Sequence, residues 1–139
     1  MSARSIIERS NVTLLCTTDD PVDSLEYHMQ LAEDKCFPVQ VLPAWRPDRA
    51  VSIGKPDFTD YIHSLEKVSG ITITTFEDLK KALSIRMDYF AERGCLVSDH
   101  GLPYVMFSPA SDSLIEEIFN KRMQGQMVDA QEEIGRAHV

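Results

Sequence analysis

Arg46 is the residue in this sequence best suited to gripping a small acidic molecule. It sits between Trp45 and Pro47, which restrict its backbone, and Asp48 follows. A planar guanidinium holds a carboxylate through two parallel hydrogen bonds, which lysine cannot do. The same chemistry would also close a structural ion pair with Asp48 or Asp20. His100, directly after Asp99, has the chemistry to ligate a metal or to move a proton near neutral pH. A lone histidine is more often just a satisfied hydrogen-bonding residue. Asp19 and Asp20 form a carboxylate pair within Thr17-Thr18-Asp19-Asp20-Pro21. Asp20 is placed to cap a helix that starts at Pro21, so Asp19 is the freer of the two. Trp45 fits a sugar pocket or a packing position. His28 and His63 fall inside helical patterns and read as surface or packing residues. No histidine pair has HxH or HExxH spacing, and no phosphate loop or GxSxG elbow is present.

These candidates cluster where apolar runs end. Residues 12–17, 38–43 and 95–98 read as three strands, the first a continuous apolar and β-branched run expected to be buried on both faces. Each stops at a polar segment: Thr17 to Pro21, the Trp45-Arg46-Pro47-Asp48 turn, and Ser98-Asp99-His100. Helical patterns lie between them. A short one spans Ser2 to Ser10. A second runs from Pro21 to about Asp34. A third carries Phe58, Tyr61, Ile62, Leu65 and Val68 and ends at Gly70. Thr75 with Asp78 resembles a capping box opening a fourth, whose apolar stripe is Phe76, Leu79, Leu83, Met87 and Phe90 and whose stop is Gly94. A last helix spans about Asp112 to Gln124. The Gly70-Ile71-Thr72-Ile73-Thr74 stretch fits neither pattern. Alternation of strand and helix predicts an α/β fold with parallel strands.

Composition narrows the partners. The chain has 139 residues, 43% hydrophobic and 26% charged, with a net charge of −8. That is globular, and too acidic to favour nucleic acid or an anionic membrane surface. A single arginine still suffices for a small anion. Of Cys16, Cys36 and Cys95, two lie in strand-like runs and are expected to be buried free thiols. With no signal-peptide pattern, a reducing cytoplasmic setting is the expectation. Three strands leave open edges, which predicts self-association of an isolated chain. Residues 132–139, ending Ile134-Gly135-Arg136-Ala137-His138-Val139, have no fold logic and read as a non-native tail.

Three ordered blocks carry a resemblance. Thr17 to Leu25, then Leu42-Pro43-Ala44-Trp45-Arg46-Pro47-Asp48, then Gly94-Cys95-Leu96-Val97-Ser98-Asp99-His100-Gly101 closely resemble uronate (glucuronate) isomerase. Phe76 to Leu79 and Arg86 to Phe90 look like the same family. The resemblance implies an amidohydrolase-superfamily TIM (β/α)8 barrel, with residues 1–131 as a partial barrel holding about three of its strands. It implies interconversion of D-glucuronate with D-fructuronate, and of D-galacturonate with D-tagaturonate, by proton transfer through an enediol. It implies a divalent metal, usually zinc, in the complete enzyme. By the same resemblance Arg46 would bind the hexuronate carboxylate. His100 would act at or near the metal as a catalytic residue, and Asp19, Asp20 and Trp45 would line the substrate site. The family's HxH metal pair and its late-strand Asp have no counterpart in this sequence, so this segment alone is expected to be inactive. The alternative is a non-catalytic chain that binds a sugar acid or a protein partner.

Overall fold

A computed structural model describes residues 2–101 and 109–129. The tail at 132–139 lies outside the described residues. Strand β1 (Leu14–Cys16) pairs in parallel with β2 (Gln40–Leu42), and β3 (Ala44–Trp45) pairs in parallel with β4 (Val97–Ser98). Leu14 lies opposite Gln40, and the bridge between Asp19 and Trp45 keeps that same offset. β2 and β3 are therefore one extended segment interrupted at Pro43. The N–H of Gln40 and Arg46 and the carbonyls of Leu42 and Ala44 all bond toward the β1 side. The Trp45 carbonyl instead accepts from Asp99 on the β4 side. Pro43 has no N–H to donate, and in this alternation its missing donor falls on the β4 side, where the ladder breaks.

The strands are shorter than expected at their starts, and the second runs on past its expected end at Pro43. The Trp-Arg-Pro-Asp block is thus a strand end leading into a short helix, α3 (Asp48–Val51), rather than a plain turn. β4 begins late because Cys95 is spent on closing the preceding helix, its N–H bonding the Phe90 carbonyl at 3.0 Å.

Side chains alternate across a strand, so register assigns faces. Trp45 packs edge-on against Phe90 of a helix, with ring centroids 5.1 Å apart. Leu15, Thr17, Asp19 and Pro43 share that helix-covered face. Leu14, Cys16, Thr18, Arg46, Val97 and Asp99 share the other. Leu14 is 45% exposed and Val97 47%. The expectation that the first strand is buried on both faces is overturned, because helices cover one face only. The three cysteines are free, as expected, but burial fails for Cys16, which lies on the uncovered face and is exposed; Cys95 is half-buried, and Cys36, in a turn, is exposed.

The helices are α1 (Ala3–Arg9), α2 (Glu26–Glu33), α4 (Phe58–Ser69), α5 (Phe76–Ala91) and α6 (Asp112–Met123); α2 packs on β2, α4 on α5, and α5 on α6. α2 starts later than expected. Asp20 caps a tight turn instead, accepting from the Val22 N–H at 3.1 Å, while its own N–H donates to Asp23. α5 has the expected box: Thr75 Oγ1 accepts from the Asp78 N–H, and Asp78 accepts from the Thr75 N–H. Its C-terminus closes with Gly94 at φ +88°. Its buried face is Leu79, Ala82, Arg86 and Phe90. Met87 is exposed, contrary to the expected stripe, because the helix is turned to bring Arg86 inward. The main core joins Phe58, Tyr61, Ile62 and Leu65 of α4 to Leu79, Ala82 and Phe119. In the unassigned stretch, Ile73 is buried and its N–H bonds Glu66 Oε1 at 2.7 Å. No described helix is long and apolar enough to cross a membrane.

Candidate functional site

Arg46 and Asp99 are register neighbours at the C-terminal ends of β3 and β4. Arg46 Nε donates to Asp99 Oδ1 at 2.9 Å, and Nη2 closes a second bond to Oδ2. The pair is side-on and bidentate, on the face that helices leave open. The sequence had offered Asp48 or Asp20 as partner; the register selects Asp99. The guanidinium holds the Asp99 carboxyl below the usual carboxylate range, and the carboxylate raises Arg46 in turn. A guanidinium has two bidentate edges. Asp99 takes the Nε/Nη2 edge, so the Nη1/Nη2 edge remains for a second carboxylate.

Asp48 serves a second pair. Its Oδ1 lies 2.7 Å from His100 Nδ1, and its Oδ2 accepts from the Gly101 N–H at 2.7 Å. A Cβ at Gly101 would sit 3.1 Å from Asp48 Oδ2 and 3.5 Å from Arg46 Nη1, so glycine lets the chain wrap close to both. A carboxylate that accepts on both oxygens makes Nδ1 the donor, which leaves Nε2 as the basic nitrogen. Beside His100, an open cavity of about 460 Å³ is walled by Trp45, Pro47 and Met87.

The other three candidates are placed apart from Arg46. Trp45 is buried against Phe90 and Leu25 on the helix-covered face. Asp19 shares that face and is only 8% exposed. Its Oδ2 accepts from Thr17 Oγ1 at 2.6 Å and from the Ala44 N–H at 3.1 Å. Asp20 lies in the turn that follows; burial raises its pKa, opposed by the Val22 N–H. Burial likewise pushes the Tyr61 hydroxyl, near Asp20, well above the ordinary phenol range. Of the two alternatives for His28, surface or packing, the structure gives packing: its Nε2 is 2.7 Å from Thr17 Oγ1 and 3.7 Å from Asp19.

The structure thus joins Arg46 and His100 at one rim and adds Asp99 and Asp48, which residue type alone did not single out. Their signal was positional, since each lies beside a candidate at a strand end. Among the described residues, no three His, Cys, Asp or Glu side chains converge as a metal site. Asp99 is committed to Arg46, and Asp48 to His100 and Gly101, which leaves one imidazole nitrogen where zinc needs at least three protein ligands. These residues do not fit a metal by themselves.

Parallel strands joined by helices, with polar side chains gathered at the strands' C-terminal ends, define a β/α protein with a strand-end site. The family model for glucuronate isomerase matches residues 1–136, and the chain belongs to that family. It is 56% identical over 132 residues to the uronate isomerase of Lachnospira eligens, covering 95% of this chain and 28% of that protein. It is 52% identical over 134 residues to that of Lachnoclostridium phytofermentans, covering 96% and 29%. The crystal structure of uronate isomerase from Thermotoga maritima superposes with a TM-score of 0.88 at 30% identity, over 96% of this chain and 30% of that one. Glucuronate isomerase from Caulobacter crescentus gives 0.84 at 25% identity, over 96% and 28%. The chain therefore spans under a third of the length of these relatives.

Proposed function

We propose that this chain is a three-strand segment of a (β/α)8 barrel. It would supply part of the hexuronate site of a uronate isomerase that interconverts D-glucuronate with D-fructuronate and D-galacturonate with D-tagaturonate. The observation that carries this reading is the Arg46–Asp99 pair, which faces away from the helices with one guanidinium edge unclaimed. In a closed barrel that face would be the interior, and the polar strand ends would ring the substrate. The exposed Leu14 and Val97 would then meet further strands.

Arg46 would grip the substrate carboxylate on its Nη1/Nη2 edge, with Asp99 fixing the plane of the guanidinium from the other side. Aldose–ketose exchange moves one proton between C2 and C1 and a hydroxyl proton between O2 and O1. His100, its ring oriented by Asp48, would hold the first of these on Nε2 or pass it on. Trp45, Asp19 and Asp20 would support the rim rather than touch the sugar. A divalent metal, zinc by family resemblance, would need ligands beyond the described residues.

The test is a chimaera. Residues 1–131 replace the corresponding segment of the Lachnospira eligens enzyme, and glucuronate isomerisation is assayed. The chimaera should be active. Arg46→Lys should lose the bidentate contact, about 2–3 kcal/mol, or roughly 30- to 150-fold in kcat/KM. An active chimaera indifferent to Arg46→Lys would remove the assigned role. An inactive chimaera would remove the reading as a whole.

A further inference from the structure

We infer that Arg86, on α5, is a positioning residue for Arg46. This rests on the proposed role of Arg46. The Arg86 residue is 5% exposed, yet its hydrogen bonds run to main-chain carbonyls: Nε to Pro21 at 2.7 Å and Nη2 to Asp23 at 2.8 Å. A cation buried on carbonyls is a poor way to fill a core, since it loses its hydration without gaining a full counter-charge. Burial accordingly pushes its pKa down. What the guanidinium supplies is geometry: one rigid plane that fixes two carbonyls in a single arrangement. Tyr89, against which it stacks at 3.9 Å, adds a third, donating its hydroxyl to the Ser24 carbonyl at 2.6 Å.

The segment held in this way begins directly after Asp19 and Asp20. Asp19 is tied to the strand that carries Arg46 by three bonds. Its carbonyl accepts from the Arg46 N–H at 3.0 Å, its N–H donates to the Ala44 carbonyl at 3.1 Å, and its carboxylate accepts from the Ala44 N–H. One turn along α5 from Arg86, Phe90 packs on Trp45, the residue before Arg46. One helix face thus sets the backbone of Arg46 from two sides. Arg122 on α6 is equally buried and holds a different loop, through the carbonyls of Ile53, Lys55 and Pro56. It is the natural control.

The first measurement uses the 139-residue chain. Nitrogen-edited NMR follows the Arg46 Nε–H, which is held on Asp99. Arg86→Lys, which keeps the charge but not the fork, should speed exchange of that proton about tenfold. Arg122→Lys, with a comparable loss of stability, should leave it alone. An unchanged Arg46 signal in Arg86→Lys, or an equal loss in both variants, would overturn the inference. Arg86→Met is a second probe where it folds. The second measurement is kinetic, in the chimaera: Arg86→Lys should raise the hexuronate KM about tenfold while kcat changes less than threefold. A purely structural role would lower the active fraction and leave KM fixed. If the parent chimaera is inactive, the functional reading fails while the NMR comparison still decides the positioning role.

Discussion

Replacing Phe90 by Ala should remove a large part of the stability of this chain. Phe90 is fully buried, its ring meets Trp45 edge-on at 5.1 Å and 88°, and Arg86 and Tyr89 flank it. Truncating a buried Phe to Ala costs about 3–5 kcal/mol. The value here should fall near 4, because the opposite face of the sheet is open and no second core layer backs Trp45. With a urea slope of about 2 kcal/mol/M for a chain of this size, the unfolding midpoint should drop by about 2 M. Domains hold only about 5–15 kcal/mol in total, so this one contact carries at least about a quarter of it. Phe90→Leu keeps most of the volume and loses the edge contact, and should cost only about 1 kcal/mol. Trp45 is the single tryptophan in the sequence, so its fluorescence reports this contact directly. Emission should move to the red in Phe90→Ala, as the buried indole meets water, and hardly at all in Phe90→Leu. A loss below about 1 kcal/mol in Phe90→Ala with unmoved emission would refute the claim that this contact seats the Arg46 strand.

The helix cap predicts a pH dependence. Asp78 titrates at about 2 rather than 3.8, held down first by the Thr75 hydroxyl and then by Thr74. A depressed carboxyl stabilises above its unfolded value and stops doing so below its folded one. Its contribution is therefore complete above about pH 4 and lost as pH falls through about 2. Thermal melts between these limits should fall less steeply for Asp78→Asn than for the parent, and parallel curves would refute the assignment. Gly94→Ala should destabilise by about 1–2 kcal/mol, because φ is positive and a Cβ would press on Leu42 at 3.2 Å. Gly70→Ala, also at positive φ but with open space around it, should cost less; equal urea midpoints would show that the Leu42 contact is unimportant.

What was legible in the sequence was punctuation. Thr75, Asp78, Gly70 and Gly94 mark helix ends through local bonds or backbone conformations, which need no distant partner, and these fell where expected. The parallel strands and the strand-end location of Arg46 and His100 were legible too, since apolar runs and polar stops are local patterns. Faces were not. Leu14 and Cys16 have the residue types of a buried strand, but burial depends on what lies across the sheet, and helices cover one side only. Met87 and Arg86 were exchanged for a similar reason. An apolar stripe is a sound guide to a helix face until a charged residue finds carbonyls inside. The turn at Asp20 shows a third limit, because Asp followed by Pro caps a turn as readily as a helix.

Three arginines make the same point about function. Arg46, Arg86 and Arg122 have identical chemistry, and nothing in composition separates them. Their acceptors do. Arg86 and Arg122 spend their donors on main-chain carbonyls and are sealed in, so they hold loops. Arg46 spends one edge on a carboxylate and stays one-third exposed, at 32% of its side chain. A guanidinium half-satisfied by a neighbouring carboxylate is rigid, charged and still able to bind, which is what recognition of an acidic ligand requires. The open edge of Arg46, and not its residue type, is therefore what separates it from Arg86 and Arg122.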